Sequence, residues 1–302
     1  MILCFLFLIH CTVTSFPSKS VKKGQDVRLD FSSYSSSQGL INFQKLVFAD
    51  WAVDREGLIH LQEPAAVKAG LKPGDEPIQI YMYVLEHPVH GRYFIDTGIA
   101  DVFRKDRPEW PIKGFVASAM KMEKLKVNIT TGEWNKENQG ELKGIFLTHM
   151  HIDHIMGTSD IPKNIPIYTG PKEASHKAFL NMFVRGTTDD LLGEKREIQE
   201  LIFPEKISDI GLSGIDFFGD QSLIVFHSPG HTPGSLAFLI QSTSGPQLVV
   251  GDTCHTKFGW ENNVPPGEFT SDLDENRKSL SSLKKLAEKI PNLTIHPGHQ
   301  SL

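Results

Sequence analysis

The chain has 302 residues, 39% of them hydrophobic and 22% charged, with a formal net charge of −5. That length suits one large globular domain or two modest ones. The acidic balance argues against nucleic acid as the main partner, since phosphate binding draws on clustered cations, and Lys121 to Lys126 and Lys284-Lys285 read as solvated helix faces.

In chain order, Ile2 to Ile9 is apolar apart from Cys4, and small polar residues follow from Thr12 to Ser15. This is the pattern of an export signal over residues 1–18, too short for a stable membrane span. The mature chain is expected to begin near Phe16 to Ser20, or at a lipidated Cys11, although Leu8-Ile9-His10-Cys11 lacks the usual small residue before the cysteine. The expected location is accordingly periplasmic, secreted or lipid-anchored, and cytoplasmic if the signal does not function. Residues 19–39 are polar, low in complexity from Ser32 to Gln38, and read as a linker. Residues 40–302 read as one folded domain. With Cys4 and Cys11 in the signal, only Cys254 remains; it reads as a small buried residue that forms no internal disulfide.

From Leu40 the chain is β-rich, and Gln79 to Leu85 and Arg92 to Asp96 flank a turn at Pro88-Val89-His90-Gly91, a hairpin signature. Phe115, Ala119, Met122 and Leu125 have helical spacing, which predicts a helix over Phe115 to Val127. Lys143 to Leu147 is a buried-type strand. Pro171 to Phe203 has a helical pattern broken at Gly186, and its Phe179, Met182 and Phe183 suit a core stripe, a homodimer face or a pocket wall. Strands follow at Ser222 to Phe226, Leu236 to Ile240 and Gln247 to Val250. The helix Asp274 to Ile290 has Leu280, Leu283, Leu286, Ala287 and Ile290 on one face. Strands, helix, strands, helix, with both halves ending at histidine-rich turns, suggest two sheets packed face to face with helices outside.

The densest chemical signal is Thr148-His149-Met150-His151-Ile152-Asp153-His154, at the end of the Lys143 to Leu147 strand. At an irregular strand end, side chains at i, i+2, i+4 and i+5 can fan around one point. Neutral imidazole and carboxylate suit zinc, iron or manganese. Three later segments carry the same chemistry: His231 in a Pro- and Gly-rich turn, Asp252 at a strand end, and His299 in the closing Pro297-Gly298-His299. A lone His or Asp after a strand is more often surface or capping than ligand. In this order, together, they form a strong pattern.

From Leu40 to Leu302 the chain resembles the metallo-β-lactamase superfamily, whose pattern is H-x-H-x-D-H followed by separate His, Asp and His ligands. The resemblance implies an α/β fold, a four-layer αβ/βα sandwich with metals at one edge of the two sheets. It implies that His149, His151 and His231 hold one ion, that Asp153, His154 and His299 hold a second, and that Asp252 bridges them. The implied cofactor is two zinc ions per chain, with iron or manganese as alternatives. Two such ions, about 3.5–4 Å apart, activate a shared water as nucleophile and polarise the substrate oxygen. Asp153 and His255 are the candidate catalytic groups. His255 lies three residues after Asp252, where lactonases of the superfamily often carry a substrate-contacting tyrosine and methyl parathion hydrolase relatives a histidine; a packing role for it is equally open. The bridging Asp252 separates the chain from true β-lactamases, and His151 stands where flavo-diiron proteins typically carry an acid.

The expected function is hydrolysis of a small ester, lactone or related carbonyl substrate. Phosphotriester or phosphoester hydrolysis, β-lactamase-like amide hydrolysis, and an exported metal-binding protein without turnover are the alternatives. Partners are expected to be small molecules, with a lipid anchor or homodimer contact as further options.

Overall fold

Along the strand Asp75–His87 the side chains take two directions in turn. Ile78, Ile80, Met82 and Val84 pack toward helices, while Tyr81, Tyr83 and Leu85 pack between the two sheets. A strand buried on both faces must be apolar throughout, which is why this segment reads as a continuous hydrophobic run. Leu248 and Val250 against Val249 repeat the pattern in the second half.

The computed structural model describes residues 10–27, 39–207 and 209–302, so the apolar run Ile2 to Ile9 and the Ser32 to Gln38 stretch lie outside the described residues. An eight-stranded sheet runs in the order Ser18–Val21, Ile198–Leu201, Ile167–Thr169, Leu142–Phe146, Gly91–Ile95, Asp75–His87, Asn42–Asp54 and Lys126–Val127. A six-stranded sheet runs Thr294–Pro297, Gly245–Gly251, Leu236–Ser242, Leu223–His227, Ser213–Asp216 and Gln25–Asp26. Both sheets mix parallel and antiparallel pairs. Tyr81, Phe146, Val225 and Phe238 fill the space between them. Helices cover the outer faces, and the helix Leu273–Lys289 buries Leu280, Leu283 and Leu286 against the smaller sheet. This is the metallo-β-lactamase fold expected from the sequence, an α/β sandwich of two mixed sheets between helical layers. The last helix is set locally: Asp272 accepts the Glu275 N–H at 2.9 Å, Asp274 and Glu275 lie in its first turn, and Lys289 lies in its last.

Three segments differ from expectation. Residues 19–26, read as part of a polar linker over 19–39, are woven into both sheets: Ser18–Val21 pairs in parallel with Ile198–Leu201, and Gln25–Asp26 pairs with Ile215 and Asp216. Both strands are sheet edges, where backbone bonding is indifferent to polar side chains and lysines are favoured. The last part of the expected signal is also packed. Cys11–Thr12 pairs with Lys177–Ala178, and Asp189 accepts from the buried Thr14 hydroxyl at 2.5 Å and from Ser15 N–H at 2.8 Å.

The helix expected over Phe115 to Val127 stops at Ala119, because Lys121 turns into the left-handed region at φ +52°, and Lys126–Val127 is a strand. The segment 171–203 holds only one helix, Asn181–Leu192. It is flanked by short strands at Lys177–Ala178 and Ile198–Leu201, which pair with the amino-terminal strands. Gly186 lies inside that helix rather than breaking it.

Candidate metal centre

Each expected ligand lies just beyond a strand, at one edge of the two sheets. His149 follows Leu142–Phe146, His231 lies between Leu223–His227 and Leu236–Ser242, Asp252 follows Gly245–Gly251, and His299 follows Thr294–Pro297. His151 caps the four-residue helix Ile152–Ile155 that carries Asp153 and His154. The result is two groups with ligand atoms within 4.8 Å of one another: His149, His151 and His231, and Asp153, His154, Asp252 and His299.

The geometry has the marks of a cation site. His231 Nε2 lies 3.1 Å from His149 Nε2 and 2.9 Å from His151 Nδ1. Burial, reinforced by neighbouring imidazoles, pushes His149 and His231 well below the usual histidine range, and burial lowers His151 to about 4. Three neutral rings therefore turn one nitrogen each toward a single point, where a positive ion can take up their lone pairs. In the second group burial alone would lower His299, yet Asp252 and Asp153 raise it to about 10, and His154 is raised likewise by Asp153, Asp252 and Asp96. Positive charge is wanted at this place too.

Asp252 stands between the groups. Its Oδ2 is 3.7 Å from His149 Nε2, 3.5 Å from His231 Nε2, 3.3 Å from His154 Nε2 and 3.2 Å from His299 Nε2. Its Oδ1 is buried without a hydrogen-bond partner, an orphaned acceptor that a cation satisfies. Gly298 permits this crowding, since a Cβ there would lie 2.0 Å from Asp252 Oδ1. The seven residues thus fit two metal ions, the first group through three imidazoles and the second through two imidazoles and a carboxylate, with Asp252 reaching both.

Outward partners fix which ring nitrogen faces inward. His154 Nδ1 meets Asp96 Oδ2 at 2.8 Å, His299 Nδ1 meets Gln79 O at 3.0 Å, and His149 Nδ1 meets the Thr148 hydroxyl at 3.2 Å. Such outer contacts set tautomer and ring direction. Asp96 also accepts from the Thr148 N–H at 2.8 Å, and its own backbone sits at φ +59°. Glu173, fully buried, accepts from Met150 N–H at 2.7 Å, the Thr232 hydroxyl at 2.7 Å and Gly234 N–H at 2.9 Å. It clamps the His149–His151 loop to the His231 loop, and burial raises its carboxyl. Neither acid was singled out in the sequence. Asp96 had a signal, since Asp96-Thr97-Gly98 follows a strand just as the ligand loops do. Glu173 had none.

His255 is buried beside the cluster, its Nδ1 3.1 Å from Leu58 O and its Nε2 2.9 Å from Asp252 Oδ2. His231, Asp252 and His255 form a third close group. Above lies a cavity of about 720 Å³. Its floor is His151, Asp153, His231, Asp252, His255 and His299, and its walls include Trp51, Leu58, Ile78, Met150, Leu180 and Phe269. Phe179 also lines it, whereas Trp260 is core of the smaller sheet and Met182 and Phe183 stand in solvent. Cys254 is buried and its thiol is pushed up to about 12 by that burial, which makes it inert.

Comparison with known proteins agrees with this geometry. Residues 75–299 match the family model described as the metallo-beta-lactamase superfamily. An N-acyl homoserine lactonase from a Bacillus species is 28% identical over 231 residues, 75% of this chain and 82% of that protein. The gamma-lactamase FDB1 of Fusarium pseudograminearum is 28% identical over 193 residues, 58% of this chain and 45% of its own length, so the chain spans under half of that relative. The solved structure of an N-acyl homoserine lactone hydrolase, with the product N-hexanoyl-L-homoserine bound at its catalytic metal center, superposes with a TM-score of 0.60 at 19% identity. That match covers 93% of this chain and 94% of the other. It shows likeness of fold.

Proposed function

The chain belongs to the metallo-β-lactamase superfamily and is a metal-dependent hydrolase; from that premise we propose that it opens lactones, or cleaves esters, that carry an apolar substituent, using two zinc ions. The observation that carries the reading is the cavity: an apolar chamber whose floor is the His/Asp cluster. Largely apolar walls favour a substrate with a hydrocarbon portion, and the polar groups at the floor meet its reactive carbonyl. The names of relatives, a lactonase and a gamma-lactamase, support cyclic carbonyl substrates.

Bound at the seven ligands, the ions would supply an acidified water and a Lewis acid for the carbonyl oxygen. The protein does the rest. The buried imidazoles of His149, His151 and His231 stay neutral and so remain available as ligands. Asp96 holds His154, and Glu173 holds the two loops of the first group in register. Asp153 lines the cavity within 3.4 Å of His154 Nε2 and 3.2 Å of His299 Nε2, at hand to take the proton of the attacking hydroxyl and pass it to the alkoxide oxygen that leaves as the ring opens. His255, steadied by Leu58 O, presents Nε2 both to Asp252 and to the chamber. It is placed to hydrogen-bond the reacting oxygen.

A panel of lactone, ester, thioester, β-lactam and phosphotriester substrates, assayed on zinc-loaded protein, tests this. Lactones or esters are expected to give the highest kcat/KM, rising as the acyl chain lengthens. Faster turnover of a phosphotriester or a β-lactam would overturn the substrate class. His255→Phe is expected to lower kcat by about 10²–10⁴ with metal content unchanged; full turnover would make it a packing residue.

We also propose export on the Ile2 to Ile9 segment, with any processing before Cys11, because removal up to Phe16 would strip the strand Cys11–Thr12 and the buried Thr14 from the fold. The amino-terminal mass of protein from the native host tests it, and a mature end beyond Cys11 would refute it.

A further inference from the structure

The helix Asn181–Leu192 is anchored by its own side chains at one end only. Thr188, Leu191 and Leu192 are buried, whereas no residue from Asn181 to Thr187 is. Yet Asn181, Val184 and Thr188, spaced i, i+3 and i+7, line the chamber above the metal centre. That stripe makes the helix a wall of the chamber, and its first half must be held by something else.

The hold comes from Cys11 to Phe16. Cys11–Thr12 pairs antiparallel with Lys177–Ala178, shortly before the helix begins. Cys11 O accepts from Asn181 Nδ2 at 2.9 Å. Further along the helix, Asp189 accepts the Thr14 hydroxyl at 2.5 Å and the Ser15 N–H at 2.8 Å. A carboxylate acceptor makes these two stronger than neutral hydrogen bonds. The Thr14 hydroxyl oxygen is buried and in turn accepts the Phe16 N–H at 3.1 Å. Behind it, Pro17 O accepts from Ile198 N–H at 2.8 Å and Ser18–Val21 pairs with Ile198–Leu201. The segment is thus a strap, fixed to the larger sheet at one end and to the helix at the other. Val13 stands between the contacts made by Cys11 and Thr14. It is half-buried, packs on the core of the larger sheet and lines the chamber.

We propose that Val13 is a specificity-determining residue of the chamber, held there by a strap that also positions the helix Asn181–Leu192, so that the amino-terminal segment sets how large an apolar substituent the enzyme accepts. Thr14 and Asp189 are positioning residues that act through Val13 and the helix. The proposal rests on the reading of the chamber as the substrate site.

The test uses the full zinc-loaded chain and two readouts. The first needs no turnover: fluorescence titration with the neutral apolar dye N-phenyl-1-naphthylamine. Wild type is expected to bind it, and Val13→Trp, which fills the chamber at this wall, to bind it at least about tenfold more weakly. The second is a series of lactones or esters of increasing acyl length. Val13→Trp should lower kcat/KM for the longest relative to the shortest at least about tenfold, chiefly through KM. Val13→Ala opens the wall instead of filling it, and should shift the preference toward bulkier substituents. Thr14→Val removes the hydroxyl from Asp189 with little change of shape; its loss should fall on KM for long substrates more than on kcat. Two zinc ions per chain and a cooperative melt report that each variant folds. Either equal dye affinity in wild type and Val13→Trp, no dye bound by either, or an unchanged acyl-length profile in both Val13 variants would overturn the proposal. So would losses in kcat alike for every length, since the strap would then serve the metal centre and not the choice of substrate. If wild type turns over no lactone or ester, the substrate reading fails, and the dye titration alone decides the role of Val13.

Discussion

Two histidine–aspartate clusters touch the same long strand, Asp75–His87, and only one has the geometry of a candidate metal site. Near its start, Gln79 holds His299 of the seven-residue centre. At its end, His87, His90 and Asp220 bring ligand atoms within the same 4.8 Å. The difference is where each ring nitrogen is committed. His87 Nδ1 accepts the N–H groups of Val89 and His90, both at 3.1 Å, so its proton is on Nε2 and is donated to Asp220 at 2.8 Å. Both nitrogens are used, and His90 stacks on Phe218 at 4.6 Å. In the candidate metal centre the outward nitrogens of His149, His154, His231 and His299 meet side-chain or backbone oxygens, which turns the other ring nitrogen inward, toward Asp252. A cluster becomes a metal site through the acceptors behind it as much as through the rings themselves.

The hardest blow to that contrast is removal of the shared carboxylate. Asp252→Ala is expected to cut turnover at least about a hundredfold and to lower metal content below two ions per chain, because one residue reaches both groups. Kinetics with metal analysis on zinc-repleted protein checks this. Activity above about a tenth of wild type, with two ions retained, would show that the bridge is dispensable.

A subtler cut leaves every ligand in place. Asp96→Asn keeps the side-chain shape but removes the negative charge behind His154 and the acceptor shared with Thr148. Metal affinity or turnover should fall about 10–100-fold. A competitive chelator titration measures it, and unchanged affinity would mean that the outward partner does not define the site.

The seven candidate ligands stood out because metal chemistry allows few residue types and the run from His149 to His154 compresses four of them into six positions. The sheets were legible for a related reason: strands buried on both faces are apolar without interruption. What escaped depends on partners distant in sequence. Ser18–Val21 is a strand because Ile198–Leu201 lies beside it, and its own polar residues carry no such signal. Glu173 matters because three donors from two other loops converge on it. The helix predicted to Val127 fails at Lys121, where the backbone adopts a left-handed conformation that side-chain spacing does not encode.

His296 makes a third case, three residues from a ligand yet committed to the protein. Gln247 donates its amide to Gly245 O, so its Oε1 accepts from His296 Nε2 at 2.9 Å. Burial, with a smaller push from Lys45, lowers His296 from 6.5 to about 3. Between those values the unfolded chain binds a proton that the folded chain refuses, so stability falls as pH drops from about 6.5 toward 3 and is complete above 6.5. His296→Phe keeps a ring beside Phe43 and Tyr83 and removes this titration. Urea unfolding at pH 7 and pH 5 should show the stability advantage of wild type over the variant shrinking by about 1–2 kcal/mol at the lower pH. The metal ligands are common to both proteins and cancel in the comparison. An advantage that is constant with pH would place the proton elsewhere.

The smallest expected effect tests the far cluster. Asp220→Asn keeps one oxygen for His87 Nε2–H where Asp220 uses two, the other accepting the Ser222 N–H, so the turn loses a charge and one acceptor. Stability should change by about 1 kcal/mol or less, the usual range for one hydrogen bond of this kind, with metal content and turnover untouched. If instead His87, His90 and Asp220 held an ion, His87 would need a free lone pair at Nε2. Its proton would then move to Nδ1, where the Val89 and His90 N–H groups already point. Three donors would face one another and the turn would have to open. Zinc titration therefore separates the readings: a further equivalent bound by wild type and lost in Asp220→Asn would break the proton accounting, and with it the rule drawn from the two clusters.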